Sequence, residues 1–376
     1  MARPGSATDR TDDGVGRRHV LGLAAAATAS LAGCQTATRD GTTTVSPGDP
    51  GTTAGSGPDA TGSLPAGTAG PYTEVYRQAH EAVAVVRTGS GQGSCFAYDD
   101  RGHFVTNHHV VAGADSVHLH FSRDDWREAT VVGTDVFSDL AVLDVDDPPA
   151  YVHPLPVLEG SPAVGQRVAV LGTPFGFQGS LTAGVVSGID RAINSATEFP
   201  IPGAVQTDAA ANPGNSGGPI LTLDATVAGV ISRGGGDNIA FGIPPQLVQR
   251  VIPALIADGE YEHPYVGVTL TEVGPTIAAA NDMARPTGVI VATVIEGGPA
   301  DGHLEGSQVE VVDGREIPVG GDVIVGLDGR PITSMAELST HLAFRKSPGE
   351  QITVRVLRDG AEQTVTFELG ERPEAV

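Results

Sequence analysis

Between residues 82 and 251 the apolar positions come in short runs broken by Gly, Pro, Asp and Asn, a spacing that predicts strands. Residues 82–86, 117–121, 167–171, 183–187 and 227–231 are such runs, rich in the β-branched side chains that suit a pleated surface. Short strands with turn signals between them predict a closed or sandwiched all-β unit. Residues 246–252 switch to helical spacing and would close that unit. A second patterned region starts at Tyr265. It has a Gly-bounded run at 321–329, a helical stretch at 335–342, and two alternating runs at 351–357 and 363–369 that read as a hairpin through 358–362. Residues 35–71 are mostly Thr, Gly, Ser, Ala and Pro and predict a flexible tether, with a short helix expected at 74–79.

Chemistry enters at Asn212-Pro213-Gly214-Asn215-Ser216-Gly217-Gly218-Pro219. A serine among glycines has backbone N–H groups free to converge on one small volume, as an oxyanion requires. Ser216 is therefore the candidate nucleophile, with the N–H groups of Gly214 and Ser216 as candidate oxyanion donors. A serine hydroxyl is protonated at neutral pH and needs a base. His109 follows an apolar β-type run at 104–106, and Asp139 directly precedes the apolar run 140–143. The order His109, Asp139, Ser216 is that of the chymotrypsin-type triad and not the order used by subtilisins or α/β-hydrolases.

Five segments in this order, TNHHVV, SDLAVL, LGTPFG, QTDAAANPGNSGGP and NIAFGIP, make the chain resemble the HtrA/Deg family of serine proteases over about residues 75–370. The resemblance implies a mostly β fold: a chymotrypsin-like double β-barrel protease domain at 72–258, then a smaller α+β PDZ domain at 263–371. It selects His109 over His108 as base. It implies a substrate pocket from Ala209, Ala210, Ala211, Ile231 and Ser232 that favours cleavage after small aliphatic residues. Tyr265, Val266, Gly267 and Val268 would be the PDZ loop that captures a terminal carboxylate, the partners being C-terminal peptides bound by strand addition. The loops at 173–180, 191–203 and 233–238 match the family's activation loops. The acidic stretch 305–320 interrupts the PDZ pattern and is expected to shield or reshape the peptide groove. The family also implies unfolded or damaged protein substrates and a homotrimer, with Tyr72 and Tyr76 either at its interface or packed on the local core. A peptide-binding chaperone or adaptor, and a site-specific processing protease in stress signalling, are the other functions compatible with this pattern.

Charge and the N-terminus add an address. The formal charge is −23, and Lys346 is the sole lysine. Such a surface excludes nucleic-acid binding by phosphate neutralisation, and its dense carboxylates resemble those of salt-adapted, haloarchaeal-type proteins. Arg17-Arg18 before the mild apolar segment 20–31 resembles a Tat signal peptide, and Leu31-Ala32-Gly33-Cys34 resembles a lipobox. The expectation is a signal peptide at 1–33, a linker at 34–71, and an extracytoplasmic protein anchored to the membrane at the cell surface by lipid on Cys34. Cys95 is expected to be a buried strand residue. His118 and His120 alternate along a strand without further ligands at metal-binding spacing, so neither a metal nor a cofactor is expected.

Overall fold

The computed structural model describes residues 70–374 apart from Ser90, Ala196, Glu198, Asp237 and Asp313. The expected signal peptide, Cys34 and the tether up to residue 69 lie outside the described residues. Helix α1 (Pro71–Ala79) has Pro71 in its first turn, where the missing N–H costs nothing. Its Val75 and Ala79 are fully buried, and Tyr72 and Tyr76 pack onto the same core.

Two closed six-stranded barrels follow. The first consists of β1 (Val83–Arg87), β2 (Gln92–Ala97), β3 (His103–Thr106), β4 (Ser116–His120), β5 (Trp126–Asp135) and β6 (Leu140–Asp144), closed by pairing of β1 with β4. A four-residue helical turn, α2 (His108–Val111), leaves β3. The second consists of β7 (Arg167–Gly172), β8 (Ser180–Ile193), β9 (Ile201–Thr207), β10 (Pro219–Leu221), β11 (Val227–Gly236) and β12 (Ile239–Ile243). Closure leaves neither barrel with a free edge, and it brings the β3–β4, β5–β6 and β9–β10 connections to one cleft. Cys95 is fully buried in the first core, and burial pushes its thiol far above the ordinary range, so it serves as a small apolar residue. Helix α3 (Pro245–Asp258) lays Leu247, Val248, Val251, Ile252 and Leu255 on both barrels and stops at left-handed Gly259.

The remaining residues form a sheet in the order β14 (Val268–Glu272), β15 (Val289–Val294), β18 (Val323–Leu327), β20 (Gln351–Arg358), β21 (Ala361–Glu368). The short β19 (Arg330–Pro331) also pairs with β18, and β13 (Pro264–Tyr265) with β22 (Gly370–Glu371). The β20–β21 turn is tighter than expected, with Asp359 and Gly360 both at positive φ, the backbone of a two-residue hairpin loop. Alternation separates two faces: Val289, Val291, Ile352, Val354 and Val356 point toward helix α5 (Met335–Arg345), while Ile290 and Val323 point to the other side.

That division corrects the expectation for the acidic insertion. The insertion is the hairpin β16 (Gln308–Val312) and β17 (Arg315–Val319), and it packs on α4 (Pro275–Ala280) on the side away from α5. Ile317, buried with Ile277 and Val323, sets that placement. The ends of the insertion are tied together. Glu305 N–H donates to Asp322 Oδ2 at 2.9 Å, Asp322 N–H returns a bond to Glu305 O at 3.0 Å, and Arg358 clasps both Asp322 oxygens at 2.7 Å. It therefore neither shields nor reshapes the groove between β14 and α5. Instead it walls a cavity of about 770 Å³ on the back face, rimmed by Asp282, Asp359 and Glu362.

Candidate active site

The turn after β5 brings Asp139 to the cleft in a left-handed conformation, φ 57°, which aspartate tolerates better than most residues. Its carboxylate accepts the Nδ1–H of His109 at 2.8 and 2.9 Å and the backbone N–H of His109 at 3.1 Å. Its carbonyl accepts Asn107 Nδ2 at 2.9 Å and His108 N–H at 3.2 Å, so the N-terminal end of α2 is pinned to this one residue. His109 keeps 45% of its side chain exposed, whereas Asp139 is buried. His108 lines the same recess, of about 170 Å³, and its Nδ1 is buried without a partner.

Ser216 stands across the cleft. Its hydroxyl donates to the Ser232 carbonyl at 3.2 Å and, among the described residues, makes no hydrogen bond to His109. Hydrogen bonds between candidate nucleophile and base are often loose before substrate is bound. The loop around Ser216 is held from both barrels. Ser94 N–H donates to Ser216 O at 2.8 Å, and Ser94 Oγ donates to Gly214 O at 2.7 Å. Thr173 Oγ1 reaches Gly214 O at 3.3 Å. Gly214 has φ 104°, and a Cβ there would come within 2.6 Å of Thr173 O. A side chain at this position is thus excluded by both strain and space. With these carbonyls bonded to buried Ser94 and Thr173, the loop leaves the N–H groups of Gly214 and Ser216 without a protein partner among the described residues.

Of the five expected pocket residues, Ala209 and Ile231 are fully buried in the second barrel's core and present no surface to a ligand. Ser232 is also buried, and its hydroxyl donates to Asp139 Oδ2 at 2.7 Å, so it supports the carboxylate. Ala210 is exposed and Ala211 partly so. Tyr265, Val266, Gly267 and Val268 lie together far along the chain, on one wall of a second cavity of about 460 Å³.

Residues 93–230 match the trypsin-like peptidase domain family and residues 264–369 the PDZ domain family. The chain is 36% identical over 296 residues to the probable periplasmic serine endoprotease DegP-like of Pseudomonas fulva, covering 76% of this chain and 57% of that protein. It is 34% identical over 305 residues to the chloroplastic protease Do-like 1 of Arabidopsis thaliana, covering 79% of this chain and 68% of that protein. Among solved structures, the HtrA-type protease AlgW with tripeptide superposes at a TM-score of 0.66 with 30% identity, covering 81% of this chain and 98% of that one. The chain belongs to the HtrA-type serine protease family. It spans under three fifths of the length of the bacterial DegP-like relatives, 57% and 58% for two of them. Membership of the HtrA-type family gives the double barrel and the PDZ fold a common frame, and it leaves the roles of individual residues to geometry.

Sequence reading missed the groups that connect the two parts. Asp135 begins the same turn as Asp139 and accepts Phe137 N–H at 3.1 Å, Ser138 N–H at 3.2 Å, the Ser138 hydroxyl, and His263 Nε2–H at 2.8 Å. Burial alone would raise the Asp135 carboxyl. The His263 hydrogen bond and charge, with Ser138 and Phe137, outweigh burial and hold it below the usual carboxylate range. His263 precedes β13, and its carbonyl accepts Arg372 N–H at 2.9 Å. The Arg372 guanidinium lies over Phe137 and Phe199, at 5.0 and 4.3 Å from the ring centroids. On the other flank Arg250 of α3 donates to the carbonyls of Phe344 and Lys346, at 3.1 and 2.7 Å, where α5 ends.

Proposed function

We propose that the protein is an ATP-independent serine endopeptidase that hydrolyses peptide bonds of unfolded or damaged exported proteins, with a protease unit at 72–258 and a PDZ unit at 263–371. The observation that carries this reading is the pairing of His109 Nδ1 with the buried Asp139 carboxylate, opposite a serine loop whose carbonyls are anchored by Ser94. In the reaction His109 removes the Ser216 proton as Oγ attacks the scissile carbonyl, then returns it to the leaving amine. Asp139 fixes the tautomer that leaves Nε2 free to accept, and stabilises the imidazolium without taking the proton. Ser232 holds the second carboxylate oxygen. The N–H groups of Gly214 and Ser216 bind the oxyanion; one such donor is worth about 3 kcal/mol in the transition state. Ala210 and Ala211 supply the pocket wall, and the preference for a small aliphatic residue before the cut follows from their size.

The PDZ unit takes C-terminal peptides along the open edge of β14 and regulates the protease through the 191–203 loop. That reading is supported by Phe344 of α5, which packs where a Cβ on Gly203 would stand. The proposed setting is extracytoplasmic; the Pseudomonas relative is named a probable periplasmic protein. Lipid on Cys34 is the proposed anchor, and a homotrimer the proposed assembly. Among the described residues no helix is long and apolar enough to cross a membrane. The deciding experiment incubates the mature protein in molar salt with unfolded casein and a fluorophosphonate probe, beside Ser216→Ala. Labelling and cleavage should both disappear in the variant; cleavage that survives Ser216→Ala overturns the mechanism.

A further inference from the structure

The chain carries 45 acidic residues, yet the 460 Å³ cavity between β14, α5 and the protease unit has no Asp or Glu among the described residues that line it. Its walls are apolar, from Val266, Val268, Leu338 and Leu342 on the PDZ side and Phe137 and Phe199 on the other. Its one Lys or Arg side chain is Arg372. Among the described residues the Arg372 guanidinium has neither a hydrogen bond nor an ion pair, and its Nε is buried without a partner. A buried donor left unmatched is costly, and what the Arg372 cation meets is two aromatic faces and, through space, the Asp135 charge, with no acceptor on its Nε. The back-face cavity differs in this respect, since its two arginines share the lining with three carboxylates. Lining the same cavity, Val266 and Gly267 have N–H groups that also lack a partner among the described residues, and Gly267 turns the loop at φ 80°.

Resting on the reading above that the groove takes C-terminal peptides, we infer that Arg372 is a specificity-determining residue of that groove, pairing with the terminal carboxylate of a peptide that ends in an aliphatic residue. The two loop N–H groups and one guanidinium converge on the anion, and the apolar walls take the last side chain. Charge complementarity singles out this occupant: an apolar segment without a terminal carboxylate would leave the buried Nε of Arg372 without an acceptor. The C-terminal segment, beyond the last strand of the sheet, thus contributes to the peptide site. Because the same guanidinium rests on Phe137 and Phe199, a peptide that draws it toward its carboxylate changes a contact with the turn that carries Asp139.

The test measures binding of a fluorescein-labelled Gly/Ser peptide ending in Val-Val-Leu, as free acid and as C-terminal amide, by anisotropy on the full mature chain carrying Ser216→Ala. The protein with Arg372 should prefer the acid, and Arg372→Gln should reduce the acid-to-amide affinity ratio about tenfold, the worth of a hydrogen bond to a charged group. Arg372→Lys should keep most of the ratio. Arg372→Met retains the packing against both rings and gives a second neutral variant should the glutamine disturb folding. A ratio unchanged in both neutral variants overturns the role of Arg372 and leaves the groove reading standing. Failure of the Arg372 protein to bind either peptide overturns the groove reading, and the inference with it.

Discussion

Two histidine–carboxylate pairs spring from one turn of the chain, and they differ in their surroundings. Asp139 meets His109 at the cleft, with nearly half of the imidazole side chain exposed; Asp135 meets His263 where only 6% of the imidazole side chain is exposed. The contact distances are alike, 2.8 Å in each. Access separates their uses. An imidazole open to the cleft can exchange a proton with a substrate, whereas a sealed one can only hold its neighbours. The sealed pair joins the turn to the segment before β13, and through the His263 carbonyl to the segment carrying Arg372. Removing a carboxylate from water is expensive, and three further hydrogen bonds to Asp135 offset that cost.

Replacing each carboxylate by its amide separates the two pairs most strongly. Asp139→Asn keeps the left-handed backbone accessible but presents His109 with an amide that no longer enforces its tautomer. The turnover number should fall by about four orders of magnitude with the melting temperature little changed. Asp135→Asn should do the reverse. Losing one partner of a buried pair costs about 3 kcal/mol of folding stability, while each folded molecule retains most of its peptidase activity. Thermal unfolding and active-site titration on the same preparations distinguish these outcomes. If Asp135→Asn abolished turnover without lowering the melting temperature, the division of labour would be refuted.

What could be read in the sequence follows the range of each interaction. Ser216, His109 and Asp139 each stand in a short motif that locally dictates a turn, a cap or a nucleophile loop, and the barrels follow from strand runs whose patterning is local. Asp135 lies within four residues of Asp139 yet carried no signal, because its partner His263 is 128 positions away and neither residue sits in a recognisable motif. Ile231 was misplaced for a different reason. It adjoins Ser232 on β11, and the two-residue period of a strand sends neighbouring side chains to opposite sides, one to the barrel core and one to Asp139. The insertion was visible as an interruption, but the face of the sheet it covers depended on Ile317 meeting α4 across the fold.

Acid stability sharpens the comparison further. The folded-state carboxyl of Asp135 lies below its unfolded value, near 3.9 for a free aspartate. Its contribution is therefore fully present above about pH 4 and is lost as pH falls through the lower, folded value. In His263→Gln the buried carboxylate loses its strongest partner and burial again raises its pKa. The acid limb of a melting-temperature profile should then move to higher pH. A profile that superposes on the original would mean that the pair contributes nothing to acid resistance.

The smallest of these effects tests how far support of the exposed pair extends. Ser232→Ala removes one donor to Asp139 Oδ2 but leaves both contacts from His109 Nδ1 and the backbone N–H of His109 in place. A hydrogen bond to a charged group is worth roughly 1.5–3 kcal/mol, so the variant should lose about ten- to a hundredfold in kcat. KM should stay nearly constant, because the hydroxyl faces the carboxylate and not a bound substrate. A rise in KM with unchanged kcat would instead place the Ser232 side chain in the substrate pocket, as the sequence pattern had implied, and would reassign the support of Asp139 to the His109 contacts alone.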